Sequence, residues 1–174
     1  LTVEQLLYCM LVVSANETCN ILGEAVAGTV DAFVEKMNQR AQELGCANTH
    51  FANTTGLTQS GHYSSAWDIY LITREAMKHD TFMTIVNTKA YTVPATNMTD
   101  KARELHSTNA LISNWRMTGY LYSGAQGIKT GSTDAAGLCL VSSAVRGSRT
   151  LISVVLGCEE VKTETGGTRV ESFS

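Results

Sequence analysis

The chain has 174 residues, 44% of them hydrophobic and 17% charged, with a formal net charge of -3. That length and composition describe one globular domain, or part of one, with enough apolar material for a real core, and they exclude a disordered chain. The slightly acidic balance without basic clusters argues against nucleic acid as a partner, and no apolar run reaches membrane-spanning length.

Thr2-Val3-Glu4-Gln5 has the form of a capping box, with Thr2 as N-cap and Gln5 reaching back. It predicts a helix through Leu6, Leu7, Met10, Leu11 and Val13 that ends at Ser14-Ala15-Asn16. Glu17 to Ala27 follows as a second helix closed near Gly28. A third runs from Val30 to Leu44, with Phe33, Val34, Met37 and Ala41 on one face and Gly45 as its stop. Asn53 to His62 is turn-rich, and Ser65 with Asp68 starts a helix through Trp67, Leu71, Ile72 and Met77. A shorter helix is predicted over Thr81 to Asn87.

The second half changes character. Ala90 to Val93 reads as a short extended piece ending at Pro94, and His106 to Ser113 as a helical turn. Three strands follow, over Gly127 to Thr130, Gly137 to Val145 and Thr150 to Gly157, with Arg146-Gly147-Ser148-Arg149 as the hairpin turn between the last two. A helical part of about 1–88 feeding an extended and sheet part of about 89–174 is an α+β layout within one partial domain.

The chain carries five cysteines (Cys9, Cys19, Cys46, Cys139, Cys158), none in a C-x-x-C pattern, so metal or redox use is not expected of them. Most sit in apolar runs and read as small buried hydrophobes. The four histidines show no metal-ligand spacing. No metal or organic cofactor is implied.

The segment that carries chemistry is Gly127-Ile128-Lys129-Thr130-Gly131, opening a strand before Ser132-Thr133-Asp134-Ala135-Ala136-Gly137. A lysine can hold a carboxylate and bias proton transfers, a threonine can hydrogen-bond that carboxylate, and a glycine lets a substrate backbone lie against the strand. Three further segments accompany it: Leu6-Leu7 through Ser14-Ala15-Asn16; Phe33 to Asn38 with Leu44-Gly45 and Thr49 to Leu57; and His62-Tyr63-Ser64-Ser65-Ala66-Trp67-Asp68. In this order and together, they resemble the D-alanyl-D-alanine carboxypeptidases, low-molecular-mass penicillin-binding proteins of the bacterial cell wall.

The resemblance implies a β-lactamase/transpeptidase-like fold, a helical subdomain plus an antiparallel sheet, here truncated at both ends. It implies a serine-type hydrolase that removes the terminal D-alanine from peptidoglycan stem peptides through an acyl-enzyme, outside the cytoplasmic membrane, with β-lactams as inhibitors. Ser14 resembles the hydroxyl of the Ser-x-Asn element that relays a proton, and Asn16 the amide that holds the substrate carbonyl and steadies the catalytic lysine. Residue types alone favour reading Ser14 and Asn16 as helix caps, because Ser107-Thr108-Asn109 fits the same pattern, and only the family register selects Ser14. Lys129 resembles the cation that faces the cleft and Thr130 the carboxylate's hydrogen-bond donor, with Gly131 beside them. The backbone N–H of Ser132 resembles an oxyanion-hole donor. Arg169 resembles an arginine that anchors the same carboxylate; its other reading is a solvated surface arginine.

The family's nucleophile is a serine in S-x-x-K, and no lysine here has a serine three residues before it. Truncation upstream of Leu1 is the expected account, with a degenerate homologue as the other. The chain alone is then expected to be catalytically silent. In the family the strand matching Leu151 to Leu156 pairs with the first strand of the domain, so its edge is expected to be open and to promote self-association. Arg169 to Ser174 matches the beginning of the family's last helix. The rival functions are a β-lactamase or esterase of the same fold and a non-catalytic peptidoglycan-binding homologue.

Overall fold

In a computed structural model, residues 1–163 and 168–173 are described. The capping box forms as expected at the first helix, α1 (Val3–Val13): Thr2 Oγ1 accepts the Gln5 N–H at 3.2 Å, and Gln5 Oε1 accepts the Thr2 N–H at 3.0 Å. α2 (Asn16–Ala27) closes on Gly28 at a φ of 85°, and α3 (Val30–Glu43) opens with the Thr29 hydroxyl accepting from the Ala32 N–H at 3.1 Å. α4 (Ala66–Ala76) begins at Ser65, whose hydroxyl accepts the Asp68 N–H at 3.2 Å, and α5 (Asp80–Val86) completes the helices.

α1 is apolar on the side that packs against α5 and the first two strands, β1 (Ala90–Val93) and β2 (Arg103–His106). Tyr8, Cys9 and Val12 meet Ile85, Val93 and Leu105 there, and the rings of Tyr8 and Tyr91 stack with centroids 3.7 Å apart. Removing Val12, Ile85 and Val93 from water contributes about 1.5–3 kcal/mol each. A second, smaller core joins Ala41 and Cys46 to Leu71, so α3 and α4 are tied together independently of α1.

β1 and β2 pair antiparallel, Val93 opposite Arg103. The helical turn expected over His106 to Ser113 is therefore a correction. His106 ends a strand, the Ser107 N–H extends the pairing to the Lys89 carbonyl at 2.9 Å, and only Asn109 to Ser113 turn. The Asn109 side chain accepts the Leu111 N–H at 3.0 Å, an Asx turn that competes with helix.

The main sheet is an antiparallel meander of β3 (Ala125–Thr133), β4 (Gly137–Arg146) and β5 (Arg149–Cys158), in the order β3-β4-β5. β3 runs longer than its sequence signal because ladder pairing brings Ala125 opposite Ala144 ahead of a bulge that ends at Ile128. The Gly147-Ser148 turn forms as expected. A last pair, β6 (Glu160–Lys162) and β7 (Thr168–Val170), is antiparallel and followed by one 3-10 turn, Glu171–Phe173. Arg169 thus lies in a strand where the start of a helix was expected, held by pairing with Val161. Ser174, and Gly167 beside the Arg169 motif, lie outside the described residues.

The architecture is α+β, as expected. No helix among the described residues is long and apolar enough to cross a membrane.

Candidate active site

The first wall is the corner between α1 and α2. The chain leaves α1 through Ser14 at φ 58° and ψ 41°, the only left-handed non-glycine among the described residues. The conformation costs a side-chain-bearing residue roughly 1–2 kcal/mol. It is offset by the Ala15 N–H bonding back to the Cys9 carbonyl at 3.1 Å, and by the Thr18 hydroxyl and N–H both turning onto the Ala15 carbonyl. The corner leaves the Ser14 side chain exposed and starts α2 at Asn16, half-buried beside it.

β3 is the opposite wall. Gly127, at φ 79°, lets the strand press onto the end of α5, since a Cβ there would lie 2.8 Å from the Val86 carbonyl oxygen. The Ser143 hydroxyl fastens the bulge from the neighbouring strand by donating to the Gln126 carbonyl at 2.9 Å. From that seat the strand runs Lys129-Thr130-Gly131-Ser132 along the outer edge of the sheet, paired on its other side with Val141 to Leu138 of β4. A Cβ on Gly131 would meet only the Cys139 Cβ, at 3.9 Å, so the glycine leaves space in the hollow rather than relieving a clash within the chain.

A loop makes the third wall. Asn38 clamps its start, its amide donating to the Phe51 carbonyl at 2.8 Å and accepting the Phe51 N–H at 2.7 Å. Asn53 then accepts from the Thr55 and Gly56 N–H groups at 3.1 and 2.8 Å and donates to the Leu57 carbonyl at 2.9 Å. Asp68 holds the base, its Oδ2 taking the Asn48 N–H and the Thr49 hydroxyl, each at 2.7 Å. Burial pushes this carboxyl up, but hydrogen bonds from Thr49, Asn48, Ser65 and Ala47 outweigh it and hold it below its ordinary value. The Thr58 hydroxyl ties the loop across to Thr133 at 3.1 Å.

These walls enclose a hollow of about 540 Å³ lined by Ser14, Asn16, Thr55 to Leu57, Lys129 to Thr133 and the Thr108 side of the turn after β2. Across it Lys129 Nζ donates to Ser14 Oγ, with a second bond to the Thr130 carbonyl at 2.8 Å. Burial lowers the Lys129 ammonium to about 8, and Cys19 nearby opposes the shift slightly. The Cys19 thiol is itself pushed up by burial. A lysine so placed is a cation at neutral pH that stands near the pH where it exchanges a proton. Its field favours ionisation of a hydroxyl it touches.

Of the residues singled out in the sequence, Ser14, Asn16, Lys129, Thr130, Gly131 and Ser132 line this one hollow. Arg169 does not; it borders an adjoining hollow with Met117, Tyr120 and Glu160. The rival Ser107 and Asn109 are both buried, the Ser107 hydroxyl occupied by the Asn109 N–H at 3.3 Å, and neither lines the hollow. Thr108 between them does, and its hydroxyl lies 2.5 Å from that of Thr130. Thr108, Leu57, Met117 and Cys139 also line the hollow, though none was expected as a site residue. Leu57 ends a matched segment and Cys139 closely follows one, whereas Thr108 and Met117 lie away from every matched segment and had no such signal. Among the described residues no cluster of His, Cys, Asp and Glu is arranged to hold a metal.

A family profile described as D-alanyl-D-alanine carboxypeptidase, peptidase S11, matches residues 1–160. The D-alanyl-D-alanine carboxypeptidase DacF of Bacillus subtilis is 38% identical over 162 residues, which are 93% of this chain and 39% of that protein. The crystal structure of the Streptomyces K15 DD-transpeptidase superposes with a TM-score of 0.80 at 38% identity, covering 90% of this chain and 61% of the other. Penicillin-binding protein D2 of Listeria monocytogenes in its cefotaxime-bound form gives 0.73 at 31% identity, covering 90% and 59%. The chain thus spans less than two thirds of each of these relatives.

Proposed function

Because the chain belongs to the D-alanyl-D-alanine carboxypeptidase family, we propose that it builds most of the cleft of a serine-type enzyme that trims the terminal D-alanine from peptidoglycan stem peptides. The nucleophilic serine and its lysine partner lie on a segment outside this chain. One observation carries the reading: Lys129 reaches across the hollow to Ser14, 115 positions away, and so joins the K-T-G strand to the Ser-x-Asn corner.

In this reading the Lys129 ammonium draws the substrate's terminal carboxylate into the hollow and Thr130 donates a hydrogen bond to it. Ser14 relays the proton between the nucleophile's base and the departing D-alanine, with Lys129 lowering the cost of its transient alkoxide. Asn16 holds the substrate's peptide carbonyl. The outer edge of β3 offers backbone groups to an extended peptide, Gly131 leaving it room, and the Ser132 N–H stabilises the tetrahedral oxyanion. Arg169, which borders the adjoining hollow, helps anchor the same carboxylate in the intact enzyme. Acylation releases D-alanine, and water then hydrolyses the ester.

β-Lactams, with a carboxylate and a strained amide, enter the same hollow. The Listeria relative named in cefotaxime- and ampicillin-bound forms supports this. Because the substrate is peptidoglycan, the enzyme works on the cell-wall side of the bacterial membrane. The test uses a fluorescent penicillin on the full reading frame and on residues 1–174. The full protein becomes covalently labelled and releases D-alanine from a D-Ala-D-Ala peptide, while the 174-residue chain does neither. An adduct on the short chain, or an inert full protein, overturns the reading.

The outer edge of β5 has no partner strand among the described residues, and Leu151 and Leu156 on it are 56% and 41% exposed. Residues 1–174 alone therefore associate through this edge. Sedimentation velocity reads out the result: Ile152→Pro, which removes an N–H that faces the outer edge because Ile152 sits opposite Ser143 in a non-hydrogen-bonded pair, shifts the chain toward monomer, and a wild-type chain that is already monomeric at high concentration disproves it.

A further inference from the structure

The segment after β2 touches the site at one point. Ser107 and Asn109 are 6% and 2% exposed; the Ser107 N–H donates to the Lys89 carbonyl and Asn109 Oδ1 accepts the Leu111 N–H, while Asn109 Nδ2 is buried without a partner among the described residues. The backbone at Thr108 is thereby held from both sides, and its side chain faces the hollow. Its Oγ lies 2.5 Å from the Thr130 Oγ, at the short end of the range for hydroxyl pairs. Both residues are β-branched, so each hydroxyl has few rotamers to wander among.

We propose that Thr108 is a positioning residue for carboxylate recognition, acting through Thr130; this rests on the function proposed above. A hydroxyl owns one proton and two acceptor sites. When Thr108 donates to Thr130, the Thr130 proton has no claim within the pair and points to a carboxylate in the hollow. The donated bond also polarises the Thr130 O–H, which strengthens its bond to an anion. Lys129 completes the arrangement from the backbone side by holding the Thr130 carbonyl at 2.8 Å. Without Thr108 the Thr130 oxygen stays in place but its proton is no longer directed, and it spends part of its time turned from the ligand.

The full-length protein tests this with two ligands that differ only in the group recognised: a penicillin with its carboxylate free, and the methyl ester of the same penicillin. Thr108→Val keeps the shape and removes the hydroxyl. Acylation by the free acid falls roughly threefold to tenfold, the scale of one hydrogen bond, while the rate with the ester is unchanged. Thr108→Ser restores the acid rate. An acid rate equal to wild type overturns the inference, and so does an equal loss with acid and ester, which marks a structural role. If Thr108→Val does not fold, Thr108→Ala and Thr108→Ser decide the same contrast. A wild-type protein that reacts with neither ligand removes the function itself, an outcome distinct from failure of Thr108 alone.

Discussion

The α1–α2 corner and the β3 strand bring side chains to one hollow by opposite means. The corner relies on a single residue held in a left-handed conformation at the end of a helix. The strand relies on a ladder with β4, a bulge and one glycine seated against α5. The corner therefore carries local strain and exposes its hydroxyl, while the strand is rigid and half-buries its lysine. A cleft made this way has one stiff electrostatic wall and one wall whose aim depends on a few backbone angles.

The largest expected effect tests the stiff wall. Lys129→Ala in the full-length protein lowers penicillin acylation roughly 10²–10⁴-fold, and Lys129→Arg does not rescue it, because a planar guanidinium cannot reproduce a point donor to Ser14. Acylation rates within threefold of wild type would place the function elsewhere. The same wall gives a pH signature. With its ammonium lowered to about 8, Lys129 is charged at pH 7 and discharges above 8, so acylation by an anionic penicillin declines as pH passes that value. The native value lies below the ordinary 10.5, so the folded state binds the proton less well than the unfolded state, and stability rises with pH between about 8 and 10.5. Lys129→Met flattens that rise in chemical denaturation; an unchanged slope contradicts the assignment.

The loop wall is tested at its base. Asp68 is held below its ordinary 3.8, so its stabilisation is complete above that pH and is lost as pH falls through the native value. Asp68→Ala strands the Asn48 N–H and the Thr49 hydroxyl, and the melting temperature drops roughly 5–15 °C. Asp68→Asn shows a shallower acid loss than wild type, and parallel acid curves for the two exclude Asp68 as the titrating group. The smallest effect concerns the strained corner. Ser14→Ala and Ser14→Gly both lose the hydroxyl and fall together in acylation, but the glycine variant is more stable by about 1 kcal/mol, since only it tolerates a positive φ freely. Equal stabilities in urea would show that the corner is unstrained.

Much of this was legible in residue order because it is short-range. The Thr2–Gln5 box, the Ser65 cap and the Gly147-Ser148 turn are decided within four residues and form where expected, whereas the Thr29 cap was not anticipated. The three meander strands were visible as apolar runs bounded by turn residues. β2, β6 and β7 were not, since Arg103-Glu104-Leu105-His106 and the two three-residue pieces carry no alternation and are extended only because a partner strand takes their backbone groups. Likewise Arg169 was expected at a helix start and instead pairs with Val161.

The helix ends, the turns and the K-T-G run were determined by the sequence itself, because each is a bargain between neighbours along the chain. The tertiary structure alone decided that Lys129 meets Ser14, that Thr108 rather than Ser107 or Asn109 faces the hollow, and that Asp68 is buried beneath the loop. Those contacts join residues between 19 and 115 positions apart. Only the packing of α1 on α5, and of α5 on β3 through Gly127, brings such distant groups within a hydrogen bond's reach.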